Sequence, residues 1–137
     1  NCLITLMEIH KEQGSREDME YYAGKCRNVV ELLDLWEYGK YMADYETAAA
    51  RKDADRTLEM LEKVLDAMGK PWKLGESRLY HSLDEQKGNQ EQQKELFKRM
   101  RTGLLEDLEN LEEFDFIRDR QEFKALLAKF RDDNTLK

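Results

Sequence analysis

The residues of this chain that could bind a metal are two histidines, two cysteines and a closely spaced pair of aspartates. His10 and His81 lie in no HExxH, ExxH or Cys/His cluster, so the ligand spacing of zinc and di-iron sites is missing. Asp53 and Asp55 are similar to the start of a calcium loop, but its glycine and its distant glutamate are missing. The better interpretation is that the aspartates cap a helix and that His10 lies half-buried on a helix face. We therefore expect neither a metal nor a cofactor.

Patterns for catalysis and for phosphate binding are also missing from the sequence. Its glycines are isolated, so no glycine-rich loop can hold a phosphate. The acidic run at 106–113 has helical spacing, which indicates a solvated helix face rather than a glycosidase pair. Lys94, Lys98 and Arg101 form one basic stripe, which could meet phosphate or an acidic partner but is more typical of a solvated face. We predict that the chain is not an enzyme.

The composition suits one compact helical domain. The 137 residues are 40% hydrophobic and 39% charged, good helix formers dominate, and the single proline argues against a turn-rich β fold. The net charge of −7 disfavours wrapping of a nucleic-acid backbone, so we expect no direct contact with nucleic acid. No apolar run reaches the roughly 20 residues that span a bilayer, and no signal peptide is recognisable. We interpret Cys2 and Cys26 as reduced thiols, with a disulfide between them as the alternative, and predict a cytoplasmic protein without membrane contact.

The elements that position these residues are helices, and the clearest two form a central hairpin at 35–70. The first helix has an apolar stripe in alternating steps of three and four residues, formed by Leu35, Tyr38, Met42, Tyr45 and Ala49. The second helix has an equivalent stripe, formed by Leu58, Leu61, Leu65 and Met68. A polar corner at 51–55 separates the two helices, and Gly69 and Pro71 end the second.

A first hairpin at 1–34 precedes the central one. Its opening helix ends at Gly14 and has an apolar face formed by Leu3, Leu6, Met7 and His10. Ser15 opens the next helix, whose apolar face is formed by Met19, Tyr22, Cys26, Val29 or Val30, and Leu33. We place a break near Asp34, with Asp34 and Glu37 as a capping pair, because an uncapped helix longer than about 25 residues is unusual in a small domain. One long helix is the alternative.

Residues 71–131 are predicted to form the C-terminal helices. Ser77 caps a short helix that ends by Gly88. Asn89 opens a long helix with an apolar face formed by Leu96, Phe97, Met100, Leu104, Leu108 and Leu111. A buried connector at 114–117 leads to a last helix, opened by Asp119, with an apolar face formed by Phe123, Leu126, Leu127 and Phe130. A frayed tail at 132–137 ends the chain.

About seven helices therefore follow one another in a single domain, 1–137. Each has one apolar face that it cannot bury alone, whereas stacked antiparallel pairs can bury theirs. The first hairpin resembles one tetratricopeptide repeat at Leu3, Leu6, Met7, His10, Gly14, Met19, Ala23 and Cys26. The central hairpin repeats that pattern 38 residues later at Tyr41, Tyr45, Ala48, Thr57, Leu61 and Val64. The predicted fold class is all-α, with antiparallel helix hairpins stacked as a short tetratricopeptide-like α-solenoid.

Residues 30–131 contain a second resemblance. The runs Leu-Trp-Glu-Tyr-Gly at 35–39, Pro-Trp at 71–72, Ser-Arg-Leu-Tyr-His at 77–81 and Phe-Ile-Arg-Asp-Arg-Gln-Glu-Phe at 116–123 carry it. They resemble the C-terminal region of XRE-like (Cro/repressor-type) transcriptional regulators of Gram-positive bacteria. In that family an N-terminal helix-turn-helix binds DNA, and a helical, tetratricopeptide-like part senses a ligand, dimerises, or both. This chain has no helix-turn-helix of its own, and it begins at Asn1 rather than Met, so a preceding domain remains possible.

The resemblance implies a non-catalytic domain that senses a ligand or partner and forms a homodimer. The alternative is a stand-alone scaffold for protein–protein contacts or an oligomerisation module. Helical repeats bind peptides in a groove lined by the first helix of each repeat. Glu8, Lys11, Tyr41 and Asp44 are the candidate residues for such a groove, although core packing is the more common explanation for tyrosines at helical spacing.

Overall fold

A computed structural model describes residues 5–6, 9, 12–13, 16–70, 76–80 and 89–135, with side chains omitted at 89–90 and 132–135. Six α-helices have defined bounds in these residues, and no strand occurs among them. The helices are α1 (Arg16–Leu32), α2 (Tyr38–Ala50), α3 (Ala54–Met68), α4 (Asn89–Asn110), α5 (Asp115–Arg118) and α6 (Gln121–Thr135). A 3₁₀ turn at Glu112–Phe114 precedes α5. The prediction of an all-α chain is confirmed.

The described residues contain six such helices, where about seven were predicted. Residues 77–80 form a turn instead of the start of a short helix, because the Ser77 hydroxyl accepts a hydrogen bond from the Leu79 amide at 3.1 Å. Residues 81–88 lie outside the described part, as do the predicted cap Ser15 and most of the predicted opening helix. The connector at 114–117 is itself helical, since it spans the end of the 3₁₀ turn and most of α5.

The break near Asp34 is confirmed, because α1 ends at Leu32 and α2 begins at Tyr38. Asp34 adopts a left-handed backbone with φ 48°, and the Leu35 amide donates to the Val30 carbonyl at 2.9 Å. This is a Schellman arrangement, with an aspartate where glycine is usual. The predicted capping pair is wrong, since Glu37 occupies the N-cap of α2 and makes no side-chain capping bond.

The turn between α2 and α3 begins with the same Schellman arrangement. Lys52 is left-handed with φ 53°, and the Asp53 amide donates to the Ala48 carbonyl at 3.1 Å. Asp53 then caps α3 by accepting the Arg56 amide at 3.2 Å, as predicted. At its other end α3 stops at Met68 with Gly69 as C-cap. Gly69 has an ordinary φ of −79°. The end of α3 therefore does not depend on the ability of glycine to adopt a positive φ.

Helix α3 is the centre of the core. The predicted apolar stripe of α3 is buried throughout. A second set of α3 side chains is also buried, so most of the helix is enclosed: Thr57, Met60, Val64 and Ala67. This burial arises because α3 packs against α2, α4, α5 and α6. Tyr45 and Phe123 are 1% exposed and Leu61 is fully buried, as the predicted faces require.

The helix directions can be read from ion pairs. Between α1 and α2 the partner's number falls as the residue number rises, from Glu20 with Arg51 to Glu31 with Lys40, so these helices are antiparallel. Between α3 and α6 both numbers rise together, from Asp55 with Arg120 to the pair formed by Glu62 and Lys129, so these helices are parallel. Arg118 joins α4 to α5, because its Nε donates to the Leu108 carbonyl at 3.2 Å.

Four residues do not lie where the sequence placed them. Leu96 and Leu111 are 54% and 42% exposed, and Leu33 is 40% exposed because α1 ends one residue earlier. Arg101, predicted on a solvated basic stripe, is only 8% exposed. The inner face of α4 is formed by Phe97, Arg101, Leu104, Leu105 and Leu108. This face has regular helical spacing, but a charged residue at its middle hid it from an assignment based on apolar residues.

Candidate interaction surface

Two of the four predicted groove residues, Tyr41 and Asp44, lie on α2. The other two, Glu8 and Lys11, lie outside the described residues. The helix that contains Tyr41 and Asp44 packs between α1 and α3, and the groove itself stays a prediction.

Asp44 contributes to the seam between α1 and α2. Its carboxylate pairs with the Arg27 guanidinium, and its side chain is 15% exposed. The three ion pairs of this seam, which we call the α1–α2 ladder, are Glu20 with Arg51, Arg27 with Asp44, and Glu31 with Lys40. Charges alternate acid, base, acid along α1, and base, acid, base along α2. A shift of one helix by a turn would bring like charges together, so the ladder favours a single register.

Small side chains allow the two helices to approach closely behind the ladder. Ala23, Cys26 and Ala43 form a separate buried cluster, with Tyr22 packed against it. The Thr47 hydroxyl donates to the Ala43 carbonyl at 3.0 Å, so this buried polar group is satisfied inside α2. Burial raises the pKa of the Cys26 thiol, which disfavours the reactive thiolate. The seam is suited to fixing helix position and offers no nucleophile.

Tyr41 lies at the edge of the core. Its ring is partly buried against the main apolar cluster, and its hydroxyl donates to Glu37 Oε1 at 3.4 Å. The Nζ atoms of Lys40 and Lys63 each lie 5.9 Å from the ring centroid. Both cations are also in ion pairs, Lys40 with Glu31 at 2.9 Å and Lys63 with Glu59 at 3.1 Å. An exposed ring edge beside two ammonium groups is suited to contact an acidic or aromatic group of a partner.

The neighbouring tyrosines serve packing. Tyr45 is 1% exposed, its ring stacks on Phe114 with centroids 6.2 Å apart, and its hydroxyl has no hydrogen-bond partner in the described part of the chain. Burial raises the pKa of Tyr45 strongly, and nearby carboxylates led by Glu46 raise it further. Burial also raises the pKa of Tyr38, again with Glu46 as the second cause. Core packing is thus the correct explanation for Tyr45.

A second surface forms where the α1–α2 connection meets α4. Trp36 stacks on Phe97 with ring centroids 3.9 Å apart and 22° between the planes. The Ser77 hydroxyl donates to Asp34 at 2.6 Å, which brings the 76–80 segment to the same connection. We call the region of Asp34, Trp36, Ser77 and Phe97 the Trp36 junction. Large apolar side chains remain exposed on the elements that meet there: Leu32 at 75%, Leu79 at 55% and Leu96 at 54%.

The described residues include no group of three or more side chains that could bind a metal ion. None of the helices in that part of the chain is long and apolar enough to cross a membrane. The features that the sequence analysis missed are the burial of Arg101 and the α1–α2 ladder. The ladder had a signal, since charges at steps of seven and four residues in Glu20, Arg27 and Glu31 share one helix face.

The chain was compared with protein-family models, with curated proteins and with solved structures, and none of the three comparisons found a match.

Proposed function

We propose that this chain is a non-catalytic regulatory domain that senses a ligand or partner, within a bacterial transcriptional regulator whose DNA-binding part is not in this chain. The expected setting is the cytoplasm, and the expected state is a homodimer. In this proposal the α1–α2–α3 stack is tetratricopeptide-like, and the XRE-like runs at 35–39, 71–72, 77–81 and 116–123 indicate the regulator setting.

The observation that carries the proposal is the consecutive antiparallel packing of α1 on α2 and α2 on α3. Tetratricopeptide proteins stack helix pairs in this way and use the inner face to bind peptides. The mechanism would be a population shift, in which a bound ligand favours one stacking of the helices and so repositions the attached DNA-binding modules. Tyr41, with the Nζ atoms of Lys40 and Lys63 each 5.9 Å from its ring centroid, is the described residue that we assign to such a ligand contact.

The coding sequence upstream of Asn1 tests the regulator assignment. We expect an in-frame helix-turn-helix shortly before it. A reading frame that begins at or just before Asn1, without that motif, would remove the assignment. If the motif is present, binding of the full-length protein to its own promoter should change when a ligand is added, and Tyr41→Ala should reduce that change. Tyr21→Ala, at a ring that is 60% exposed on α1, is the matched control.

A stand-alone scaffold or oligomerisation module is the second candidate. The exposed leucines on α1, the 76–80 segment and α4 favour it, because exposed large apolar side chains are found at protein–protein contacts. Light scattering distinguishes the two candidates when it is combined with a thermal-shift screen of peptides and metabolites. A stable dimer that Leu96→Glu dissociates, with no thermal shift from any compound, would favour the scaffold. Leu111→Glu, at another exposed leucine, is the control substitution.

A further inference from the structure

Arg101 is the one buried charge of the described residues that the fold does not explain. Its side chain is 8% exposed, and its Nε is enclosed without a hydrogen-bond partner in that part of the chain. Buried charges in proteins are normally paired, because an isolated guanidinium loses its hydration on burial and gains nothing in return. The unpartnered Nε of Arg101 is therefore a buried donor that an oxyanion would satisfy.

Among the described residues, the groups around Arg101 do not supply such an anion. The guanidinium lies beside the C-terminal end of α3, where a Cβ at Gly69 would be 3.4 Å from Nη2. The carbonyls of Leu65, Asp66 and Ala67 accept backbone amides of residues 69 and 70. The negative end of the α3 dipole offsets part of the charge, but a partial charge does not replace a carboxylate.

The acidic side chain at this end of α3 is also committed elsewhere. Asp66 lies 3.9 Å from the Nζ of Lys129, so it belongs to the contact between α3 and α6. Lys129 is held in turn by Glu62 at 3.1 Å. Glu62 and Asp66 therefore face Lys129 on α6. The remaining glutamate of α3, Glu59, pairs with an arginine and a lysine of its own helix. None of these carboxylates pairs with Arg101.

An aromatic residue precedes Arg101 on the same face of α4. This residue, Phe97, lies one helical turn before Arg101 and stacks on Trp36. Gly69 adds no side chain on the α3 side. A guanidinium that has the bare backbone of Gly69 beside it and Phe97 one turn away on its own helix suits an oxyanion attached to an organic body, because the fork of donors binds oxygens in pairs while the ring packs against carbon.

We propose that Arg101 binds the carboxylate or phosphate group of a small molecule at the C-terminal end of α3, on the face of α4 that also carries Phe97. The site is independent of the proposed regulatory function, since it follows from the buried charge alone. A regulator would use it to sense its ligand, and a scaffold would use it to order α4 against α3.

The experiment measures the thermal unfolding of the whole chain at constant ionic strength, set with sodium chloride. The probes are inorganic phosphate, N-acetyl-leucine as a carboxylate with an apolar body, and N-acetyl-leucinamide as its neutral match. For a ligand present at about 100 times its Kd, we expect the wild-type Tm to rise by about 5–10 °C. N-acetyl-leucinamide should produce no rise, because it lacks the oxyanion.

Two variants isolate the guanidinium. Arg101→Met keeps the length of the side chain but removes its charge, so its Tm in chloride should equal or exceed that of the wild type, and the response to either anion should vanish. Arg101→Lys should keep a weaker response, because an ammonium cannot donate in a fork. Lys98→Met, one turn away on the exposed side of α4, should respond as the wild type does.

The result also identifies the oxyanion. A response to N-acetyl-leucine alone assigns a carboxylate ligand, and a response to phosphate alone assigns a phosphate ligand. If the wild type responds to neither anion, or responds no more than Arg101→Met, the proposal is overturned. It is also overturned if Arg101→Met lowers the Tm in chloride by several degrees, since the guanidinium would then already be compensated within the fold.

Discussion

At the scale of single residues, burial and not residue type decides what each side chain contributes. Leu61 is fully enclosed, whereas Leu96 on α4 is 54% exposed, although both are leucines on amphipathic helices. Removal of a leucine side chain from water stabilises a protein by about 1.5–3 kcal/mol. Leu61 contributes this stabilisation in full, and Leu96 does not. The same contrast separates Arg101, which is buried, from Lys98 on the same helix, which is solvated.

Leu61→Asp should destabilise the protein by at least about 4 kcal/mol, because it places an unpaired carboxylate in the core around α3. Urea unfolding followed by circular dichroism measures the change. Lys98→Asp also changes one side chain to aspartate, but on an exposed face, and should shift the free energy of unfolding by no more than about 0.5 kcal/mol. The reverse order of the two midpoints would show that the assigned faces are wrong.

Tyr45 should make the protein sensitive to alkali. Burial raises its pKa in the folded state above the unfolded value, which is about 10, so the unfolded state loses the phenolic proton first. Its contribution to stability is therefore complete below pH 10 and is lost as the pH rises further. Tyr45→Phe should flatten the decline above pH 10, and at pH 7 it should be as stable as the wild type or up to about 1 kcal/mol more stable, because the hydroxyl is unpaired.

The measurement for this prediction is the urea midpoint between pH 7 and pH 11. Tyr21→Phe, at a ring that is 60% exposed, is the matched control and should follow the wild-type curve. Tyr38, whose pKa burial also raises, should preserve part of the slope in Tyr45→Phe. Identical alkaline slopes in the wild type and in Tyr45→Phe would contradict the prediction.

At the scale of helices, charge sets the register and backbone geometry sets the ends. The α1–α2 ladder alternates in sign, so it identifies one alignment of two helices whose apolar contact is small. The Schellman arrangements at Asp34 and Lys52 end α1 and α2 and turn the chain back within five and three residues. These local devices make the antiparallel stack of α1, α2 and α3.

Reversal of the central pair of the ladder tests its contribution. Arg27→Asp and Asp44→Arg should each cost about 1 kcal/mol, since each brings two like charges together at a partly exposed site. The double variant restores opposite charges and should recover most of the lost stability. The amount of stability recovered should be smaller at high salt, because salt screens the pair. The same reversal at Arg56 and Glu59, a pair within α3, is the control and should change stability by only about 0.5 kcal/mol. Additive losses in the double variant would mean that the pair is not coupled.

Lys52→Gly should stabilise the turn between α2 and α3. A left-handed backbone costs a residue with a Cβ about 1–2 kcal/mol, and the greater freedom of glycine in the unfolded chain cancels part of the gain. We expect a net increase of about 0.5–1 kcal/mol in the free energy of unfolding, measured by thermal and urea unfolding. Lys52→Ala removes the same side chain but keeps the Cβ, so it should bring no increase. Equal effects of the two substitutions would refute the explanation by φ.

At the scale of the whole molecule, two apolar clusters of unequal size divide the described residues. The large cluster joins α2 through α6 around α3, and the small one joins α1 to α2. Helix α1 is therefore held mainly by a few small side chains and by ion pairs, which salt weakens. Local stability should follow this division, because cooperative units of opening follow buried contacts.

Native-state hydrogen exchange should show that division. We expect amides of α3 near Leu61 and Leu65 to exchange only through global unfolding, and amides of α1 near Ala23 and Cys26 to exchange at a lower free energy. A rise in salt concentration should lower the protection of α1 more than that of α3. Equal protection of the two helices, unaffected by salt, would show that α1 belongs to the main cooperative unit.

The sequence alone determined α2 and α3 and the turn between them. The stripe of Leu58, Leu61, Leu65 and Met68 and the cap at Asp53 are local signals, because an amphipathic face and a capping bond involve residues within a few positions of one another. For the same reason the break near Asp34 could be predicted, although its left-handed backbone could not.

The tertiary structure decided which faces are covered and by what. Leu96 and Leu111 are exposed and Arg101 is buried because α4 presents its Phe97–Leu108 face to the core, and that choice depends on helices far away in sequence. The parallel packing of α6 on α3 joins residues more than sixty positions apart, which no local pattern specifies. The ladder lies between these cases, since each helix carries its charges locally but only the antiparallel alignment of α1 and α2 pairs them. A periodic pattern indicates that a helix has an inner side, whereas the packing of the other helices determines which side that is.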